Sequence, residues 1–231
     1  MRRDVLAALN AARASARQAC LIRCLADGRT SLVVDGAAVA GEALGTAALE
    51  AAREALRKDR SGTVETPQGT LFLQVFNPPL RLIVVGAVHI TQALAPMAEL
   101  AGYDVTVVDP RRAFASDERF PGVKVRQDWP DEALEQLRPD RRTAVVTLTH
   151  DPKLDDPALD VALRGEAFYI AALGSRRTHA SRIERLKQLG HDEAAIARIH
   201  GPAGLDIGAV SPAEIAISVL AEMTRVLRQS G

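Results

Sequence analysis

The sequence predicts an α/β protein in two parts: a doubly wound parallel sheet over residues 80–231, preceded by a small α+β domain over residues 1–79. Two observations predict the sheet. From residue 80 onward, short apolar runs rich in branched residues alternate with helical patterns, which is typical of buried parallel strands joined by right-handed crossovers. A glycine turn also follows the first of these runs and a carboxylate ends the second, as in dinucleotide-binding units.

The composition is that of an ordinary globular protein, with 47% hydrophobic and 25% charged residues among 231. Lys plus Arg and Asp plus Glu both number 29, so no overall charge attracts nucleic acid or an anionic membrane. No apolar run approaches the ~20 residues that span a bilayer. The first residues lead into a polar-interrupted helix pattern rather than a signal peptide. We therefore expect a cytoplasmic protein without nucleic-acid or membrane partners.

Residues 1–79 show a different pattern from the rest and predict the small α+β domain. The predicted elements are a helix over 4–14, strands over 19–25 and 31–34 joined by the turn Asp27-Gly28, a helix over 45–58 and a strand over 71–76. Asn77-Pro78-Pro79 is a stiff connector, since each proline fixes its own φ and restricts the residue before it. The domain boundary is placed there.

Cys20 and Cys24 are the only cysteines, and they lie in one strand-like run. Four residues of extended chain span ~13 Å, which is too far for a disulfide. We expect both to be small buried side chains rather than a metal or redox pair.

Residues 80–110 predict the opening unit of a Rossmann-like fold. Residues 82–85 have the pattern of a buried strand, Gly86 makes the turn, and apolar residues at 90, 94, 97 and 101 form the stripe of a helix that ends at Gly102. A second strand over 105–108 leads to Asp109. This carboxylate lies about twenty residues beyond the glycine turn, a spacing that suits hydrogen bonding to a ribose.

Two residues depart from the Gly-x-Gly-x-x-Gly pattern of such units. Val88 occupies the position of the second glycine, and Thr91 that of the third. Because the second glycine lets a pyrophosphate approach the backbone, the branched Val88 is expected to hold a pyrophosphate away. The pattern still predicts a Rossmann-like fold, but it no longer predicts an ordinary NAD-binding site.

The remaining segments continue the alternation. The predicted elements are strands over 123–125, 143–148 and 168–173, helices over 131–137, 157–164, 175–189 and 192–197, and an irregular segment over 201–208. The last helix begins at the capping box Ser211-Pro212-Ala213-Glu214, with proline at the first helical position.

Ligands of open α/β sheets bind beyond the carboxyl ends of the strands. Four of the predicted strands end in polar residues, so the loops that follow them are expected to form one pocket. The candidate ligand-binding residues are Gly86, His89, Asp109, Arg111, His150, Asp151, Gly174, Ser175, Arg176, Arg177 and Thr178.

Residues 174–178 form the best local anion site among these loops. They pass from a strand into a helix N-terminus, where free N–H groups and the helix dipole favour negative charge. Arg176 and Arg177 strengthen that preference. The alternative is a solvated basic turn in which Ser175 is a plain N-cap.

His150 and Asp151, followed by Asp155 and Asp156, suggest either a metal cluster or a general base helped by a carboxylate. Only one histidine is local. We favour the alternative, in which Asp155 or Asp156 caps a helix that begins at Pro157, and we predict no metal site.

Two further charged segments border the predicted pocket. The segment Asp109-Pro110-Arg111-Arg112 allows a carboxylate for a ribose and guanidinium groups for a phosphate. Residues 117–121 are mixed in charge and are interpreted as a lid or a wall. Nucleophile-elbow, phosphate-loop and paired Cys-x-x-Cys motifs do not occur in the sequence.

The chain resembles the C-terminal domain of the XdhC/CoxI family over most of residues 80–225. The segments that carry the resemblance are GAVH at 86–89, VVDPR at 107–111, ERFP at 118–121, THDP at 149–152, DDPAL at 155–159, LGSRRT at 173–178, GLDIG at 204–208 and PAEIA at 212–216. They occur in the order expected of that family.

This resemblance implies a role as an accessory factor for molybdenum hydroxylases such as xanthine dehydrogenase. Such factors bind the molybdenum cofactor, support its sulfuration and help to insert it, so the resemblance implies a chaperone rather than an enzyme. It also implies that molybdopterin, or its dinucleotide form, is bound by the candidate residues named above. The implied partners are a client hydroxylase and a sulfurtransferase, and a homodimer would let one protomer complete the site of another.

Two departures from the family pattern keep other functions open. Val88 replaces the second glycine of the first turn, and the N-terminal domain, with only AGEALGTAALE at 40–50, has a degenerate form of the family's glycine-rich, cysteine-containing stretch. One alternative is an NAD(P)-dependent oxidoreductase that uses Asp109 for ribose and His150 as acid or base. The other is a scaffold that binds a partner without a cofactor.

Overall fold

The computed structural model describes residues 2–116 and 118–229. The chain divides into two compact units between Pro78 and Pro79. The predicted α/β class with a doubly wound parallel sheet is confirmed, and the structure adds an antiparallel sheet in the first unit. Asp117, the first residue of the predicted lid, lies outside the described residues.

The first unit holds an antiparallel sheet of five strands in the order β3-β2-β1-β5-β4. Its elements are α1 (Arg3–Ala14), β1 (Ala19–Cys24), β2 (Thr30–Val34), β3 (Ala37–Gly41), α2 (Thr46–Lys58), β4 (Gly62–Thr66) and β5 (Gly69–Phe76). Because side chains alternate along a strand, Leu21 packs in a core with α1 whereas Ile22 packs in a core with α2. Cys20 and Cys24 are buried and free, as predicted.

The second unit holds a parallel sheet of six strands in the order β11-β10-β9-β6-β7-β8. Its elements are β6 (Leu80–Val85), α3 (His89–Leu100), β7 (Tyr103–Val108), β8 (Lys124–Arg126), α4 (Pro130–Leu137), β9 (Thr143–Thr147), α5 (Pro152–Arg164), β10 (Tyr169–Ala172), α6 (Arg176–Gln188), α7 (Glu193–Ile196), β11 (Ile199–His200) and α8 (Pro212–Gln229). The strand order reverses between β6 and β9, which places a ligand crevice at their carboxyl ends.

Both faces of the parallel sheet are covered by helices. Leu82 and Val84 of β6 pack in a core with α3 and α8, whereas Ile83 and Val85 pack in a core with α4, α5 and α6. All four side chains are buried. This double burial explains why the strand has a continuous apolar run rather than an alternating pattern.

Helix α5 begins at Pro152 rather than at Pro157, which corrects the predicted boundary. Both prolines suit a first helical position, and Pro152 occupies it because Asp151 caps the helix through the Lys153 N–H. Pro157 lies inside the helix. As a consequence, Asp155 and Asp156 are buried helical residues and not the predicted caps.

Helix α8 begins with the predicted capping box. The Ser211 N–H donates to the Glu214 carboxylate at 2.8 Å, and the Glu214 N–H donates to Ser211 Oγ at 3.3 Å. Val219 and Met223 are buried on its apolar face. Over residues 2–116 and 118–229, no helix has the length and apolarity that crossing a membrane requires.

Candidate functional site

The loop after β6, residues 86–89, is called the glycine turn. Gly86 has a φ of +114°, and a Cβ atom there would lie 2.7 Å from Thr149 Cγ2. Glycine is therefore required at this position, both by the backbone conformation and by the lack of room for a Cβ atom beside Thr149. The glycine turn and the loop after β9 are in direct contact, as their positions beyond neighbouring strands predicted.

Asp109 ties the glycine turn to the loop after β7. Its fully buried carboxylate accepts four hydrogen bonds, from the N–H of Ala87 (2.8 Å), the N–H of Arg111 (2.9 Å), and Arg111 Nε (2.9 Å) and Nη2 (2.7 Å). Burial alone would raise the pKa of Asp109, but these bonds outweigh it and the pKa lies below its ordinary value of 3.8.

These four bonds fill the acceptor sites of the carboxylate, which number about four. In this arrangement Asp109 has no acceptor left for a ribose hydroxyl. Its role here is to fix the Arg111 guanidinium, whose side chain is 36% exposed at the sheet edge. Arg111 also lies 4.7 Å from the centroid of the Phe114 ring.

The segment after Arg111 folds back over the glycine turn. Arg119 Nη1 donates to the carbonyl of Ala87 at 3.0 Å and to that of Phe114 at 2.9 Å. This anchoring role of Arg119 is not evident from the sequence, where the residue is one of several charges in a mixed segment. The described part of that segment is a wall beside the turn.

Helix α3 begins directly after the glycine turn. Val88 has φ −100° and ψ 175°, an extended conformation that does not require glycine, and its side chain packs against the core. The buried Thr91 hydroxyl donates to the Gly86 carbonyl. His89 is exposed, and its Nδ1 lies 3.1 Å from Gln92 Oε1. The two substituted glycine positions are therefore accommodated without distortion of the helix start.

The loop between β9 and α5, residues 148–151, is called the α5 loop. Thr149 Oγ1 donates to Asp155 Oδ1 at 2.6 Å, and the exposed His150 has a φ of +62°. The Asp151 carboxylate accepts one hydrogen bond, the N-cap bond from the Lys153 N–H described above. Within the described ranges, no group of three or more His, Cys, Asp or Glu side chains is arranged to hold a metal ion.

The loop between β10 and the first turn of α6, residues 174–178, is called the α6 turn. Ser175 is the N-cap: its Oγ accepts the Thr178 N–H at 3.1 Å and lies 2.9 Å from Thr178 Oγ1. Gly174 has a φ of +143°. Arg176 and Arg177 are exposed, and neither guanidinium has a hydrogen bond or ion pair with any residue that the structure describes.

Two buried charged residues lie under these loops: Arg182, which was not predicted from the sequence, and Asp155, which was interpreted as a possible helix cap. Arg182 is 2% exposed and Asp155 is 1% exposed, and Arg182 Nη2 lies 3.6 Å from Asp155 Oδ2. Arg182 stands among many charges in α6, so its sequence context suggests a solvated face. The available signal is its spacing of four from Leu186, which places both on the buried stripe of the helix.

The loops thus form one polar edge across the switch in strand order. The hydrogen bond to Asp109 is the main cause that raises the pKa of Arg111, and the charges of Asp151 and Asp155 add to it. Positive charge dominates where the side chains are exposed and unpaired, at the N-terminus of α6. Helix N-termini with unpaired arginines are suited to anions such as phosphate or sulfate.

Residues 82–223 match the family model of the XdhC Rossmann domain. The chain is 35% identical over 161 residues to the uncharacterized protein YqeB of Escherichia coli K12, covering 68% of this chain and 29% of that protein. It is 33% identical over 151 residues to the molybdenum cofactor insertion chaperone PaoD of the same organism, covering 65% and 41%. It is 31% identical over 160 residues to a probable xanthine dehydrogenase subunit from Bacillus subtilis, covering 69% and 46%.

A similar fold occurs in the crystal structure of a xanthine dehydrogenase from Bacillus halodurans. The TM-score is 0.70 at 24% identity, with 94% of this chain and 62% of that chain covered. The chain spans less than half the length of each curated relative named above. Because the family model covers more than half of the chain, and covers the unit that carries the polar edge, the chain belongs to the XdhC family.

Proposed function

We propose that this chain binds the molybdenum cofactor by its phosphate and delivers it to a molybdenum hydroxylase. The observation that carries the proposal is the α6 turn, where Arg176 and Arg177 are exposed and free of described partners at a helix N-terminus. Two unpaired guanidinium groups beside free backbone N–H groups suit a phosphate with two charges.

The names of two relatives support the cargo and the client class. One relative is named a molybdenum cofactor insertion chaperone, and another is named as part of a probable xanthine dehydrogenase. Both are longer than this chain, so the delivery step is part of the proposal. A sulfurtransferase partner, a homodimer and a cytoplasmic location stay predictions.

In this proposal the α6 turn holds the phosphate, and the other loops surround the rest of the cofactor. Arg111 supplies a third cation, held in place by Asp109. The glycine turn with His89 and the α5 loop with His150 and Asp151 form the facing walls. A nicotinamide-dependent oxidoreductase is less well supported, because N–H groups of the surrounding loops already fill the acceptor sites of Asp109 that a ribose would need.

Delivery is tested by reconstitution with a molybdenum hydroxylase prepared without its cofactor. The purified chain is incubated with released molybdenum cofactor, freed of unbound cofactor by gel filtration, and mixed with the apo-hydroxylase. We expect hydroxylase activity to appear with the loaded chain and not with the chain alone. Equal activation by a filtrate from a mock incubation without the chain would contradict the proposal.

A further inference from the structure

A cluster of buried polar atoms without hydrogen-bond partners lies at the carboxyl end of β9 and on helices α5 and α6. In the part of the chain that the structure describes, six buried side-chain N or O atoms lack such a partner. Five of the six belong to this cluster: Thr147 Oγ1, Asp155 Oδ2, His179 Nδ1, Arg182 Nε and Arg182 Nη1. Since burying an unpartnered polar atom opposes folding, the cluster requires an explanation.

The pair of Asp155 and Arg182 joins two loops of the polar edge. Asp155 uses Oδ1 to accept the Thr149 hydroxyl, which belongs to the α5 loop. Arg182 uses Nη2 to donate to the Leu173 carbonyl at 2.9 Å, directly before the α6 turn. The pair therefore connects the α5 loop to the α6 turn through two buried side chains that lie 3.6 Å apart.

The geometry of this pair indicates that it contributes little to the stability of the fold. Its separation of 3.6 Å exceeds that of a good charged hydrogen bond, and three of its polar atoms are unpartnered. Burial raises the pKa of Asp155 and lowers the pKa of Arg182, so both charged forms are disfavoured. Apolar side chains of similar volume often stabilise a fold as well as or better than such a pair. Local costs of this kind are expected at functional sites.

We propose that Asp155 and Arg182 are positioning residues, which hold the α5 loop and the α6 turn in register for an anionic ligand at the expense of folding stability. The identity of the ligand rests on the proposed function, whereas the positioning of the two loops does not. Neither residue needs to touch the ligand.

The test compares two double variants. Asp155→Leu/Arg182→Met removes the pair. Asp156→Leu/Arg185→Met is the matched control, because Asp156 and Arg185 form a neighbouring ion pair with two hydrogen bonds between the same two helices. Three quantities are measured: the thermal midpoint, the exchange of individual amide hydrogens by NMR, and the affinity for inorganic pyrophosphate by calorimetry.

The relevant amides are those of Asp151 and Thr178, whose N–H groups donate to Thr149 Oγ1 and Ser175 Oγ. In Asp155→Leu/Arg182→Met we expect an unchanged or higher thermal midpoint, exchange about tenfold faster at both amides, and pyrophosphate affinity about tenfold weaker. In the control variant we expect neither the exchange nor the affinity to change. If the first double variant fails to fold, Asp155→Asn/Arg182→Gln, which removes both charges together and leaves neither unpaired, should speed exchange at the same two amides.

A lower thermal midpoint with unchanged exchange at both amides would overturn the inference, because the pair would then serve the fold alone. Faster exchange in both variants would overturn it as well. Failure of the unsubstituted chain to bind pyrophosphate, together with the expected exchange rates, would refute the proposed phosphate site and leave the positioning role intact.

Discussion

Arg111 donates two parallel hydrogen bonds to the buried carboxylate of Asp109, from Nε at 2.9 Å and from Nη2 at 2.7 Å. The same carboxylate accepts the Ala87 N–H of the glycine turn. A residue whose sequence position suggests ribose binding thus acts as a clamp between two loops. The contribution of Asp109 to the stability of the fold, and the dependence of that contribution on pH, are both measurable.

Replacement of Asp109 by asparagine is expected to destabilise the fold by about 2 kcal/mol at neutral pH, because the buried amide NH2 would face N–H donors where a carboxylate oxygen now accepts two hydrogen bonds. The difference should depend on pH with a definite sign. The pKa of Asp109 in the folded chain lies below 3.8, so the stabilisation is complete above about pH 4 and is lost as the pH falls through the folded-state pKa. Urea unfolding of both proteins between pH 7 and pH 2.5 measures this difference.

Only the difference between the two proteins reports on Asp109, because other carboxyl groups titrate in the same range. Its constancy across that pH range would show that the carboxylate is not ionised and clamped in the folded chain. If the difference in the free energy of unfolding between the two proteins became larger as the pH falls, the pKa of Asp109 would be raised in the folded chain and not lowered.

Gly86→Ala is expected to cost about 3 kcal/mol, since it combines a strained φ with a clash against Thr149 Cγ2. Gly122→Ala is the matched control, because Gly122 also has a positive φ, +80°, but has no atom within 4 Å of its virtual Cβ. That variant should cost about 1 kcal/mol from backbone strain alone. Thermal unfolding of both variants separates the two causes, and equal losses would remove the argument for a close contact between the glycine turn and the α5 loop.

Val88→Gly tests whether the branched side chain restricts the glycine turn. Glycine is expected to cost about 2 kcal/mol there, because the extended backbone accepts it but the packing of the Val88 side chain against the core is lost. We expect the affinity for a dinucleotide form of the cofactor to increase relative to the mononucleotide form, since a pyrophosphate then approaches the backbone. Val88→Ala, which keeps a Cβ atom, should show a smaller gain. Unchanged relative affinities in both variants would exclude Val88 as the residue that selects between the forms.

The central parallel strands β6, β7, β9 and β10 were predictable because burial on both faces leaves an apolar run that no surface element has. Of the four edge strands, only β8 was predicted, at 123–125. β3 consists of small, mostly exposed residues and β4 is largely exposed, so neither shows an apolar pattern, and β11 pairs through two residues only. The start of α5 was predicted wrongly because two prolines, Pro152 and Pro157, both suit a first helical position.

At the polar edge, the sequence identified which loops meet but not what their side chains do. The loops follow from topology, since the carboxyl ends of parallel strands share one edge. The partners of Asp109 depend on the path of the chain after β7, and the burial of Arg182 depends on how α6 packs on the sheet. Such contacts between segments distant in sequence leave no periodic signal.

The most direct test of the central claim is the amount of molybdopterin retained by the purified chain, measured by the fluorescence of its oxidised pterin. Arg176→Ala/Arg177→Ala is compared with the unsubstituted chain and with Arg141→Ala, a control that removes an exposed arginine before β9, at the opposite edge of the sheet. We predict that the double variant retains about tenfold less pterin and that the control retains the full amount. Equal retention by all three proteins, or no pterin in any of them, would contradict cofactor binding at the α6 turn.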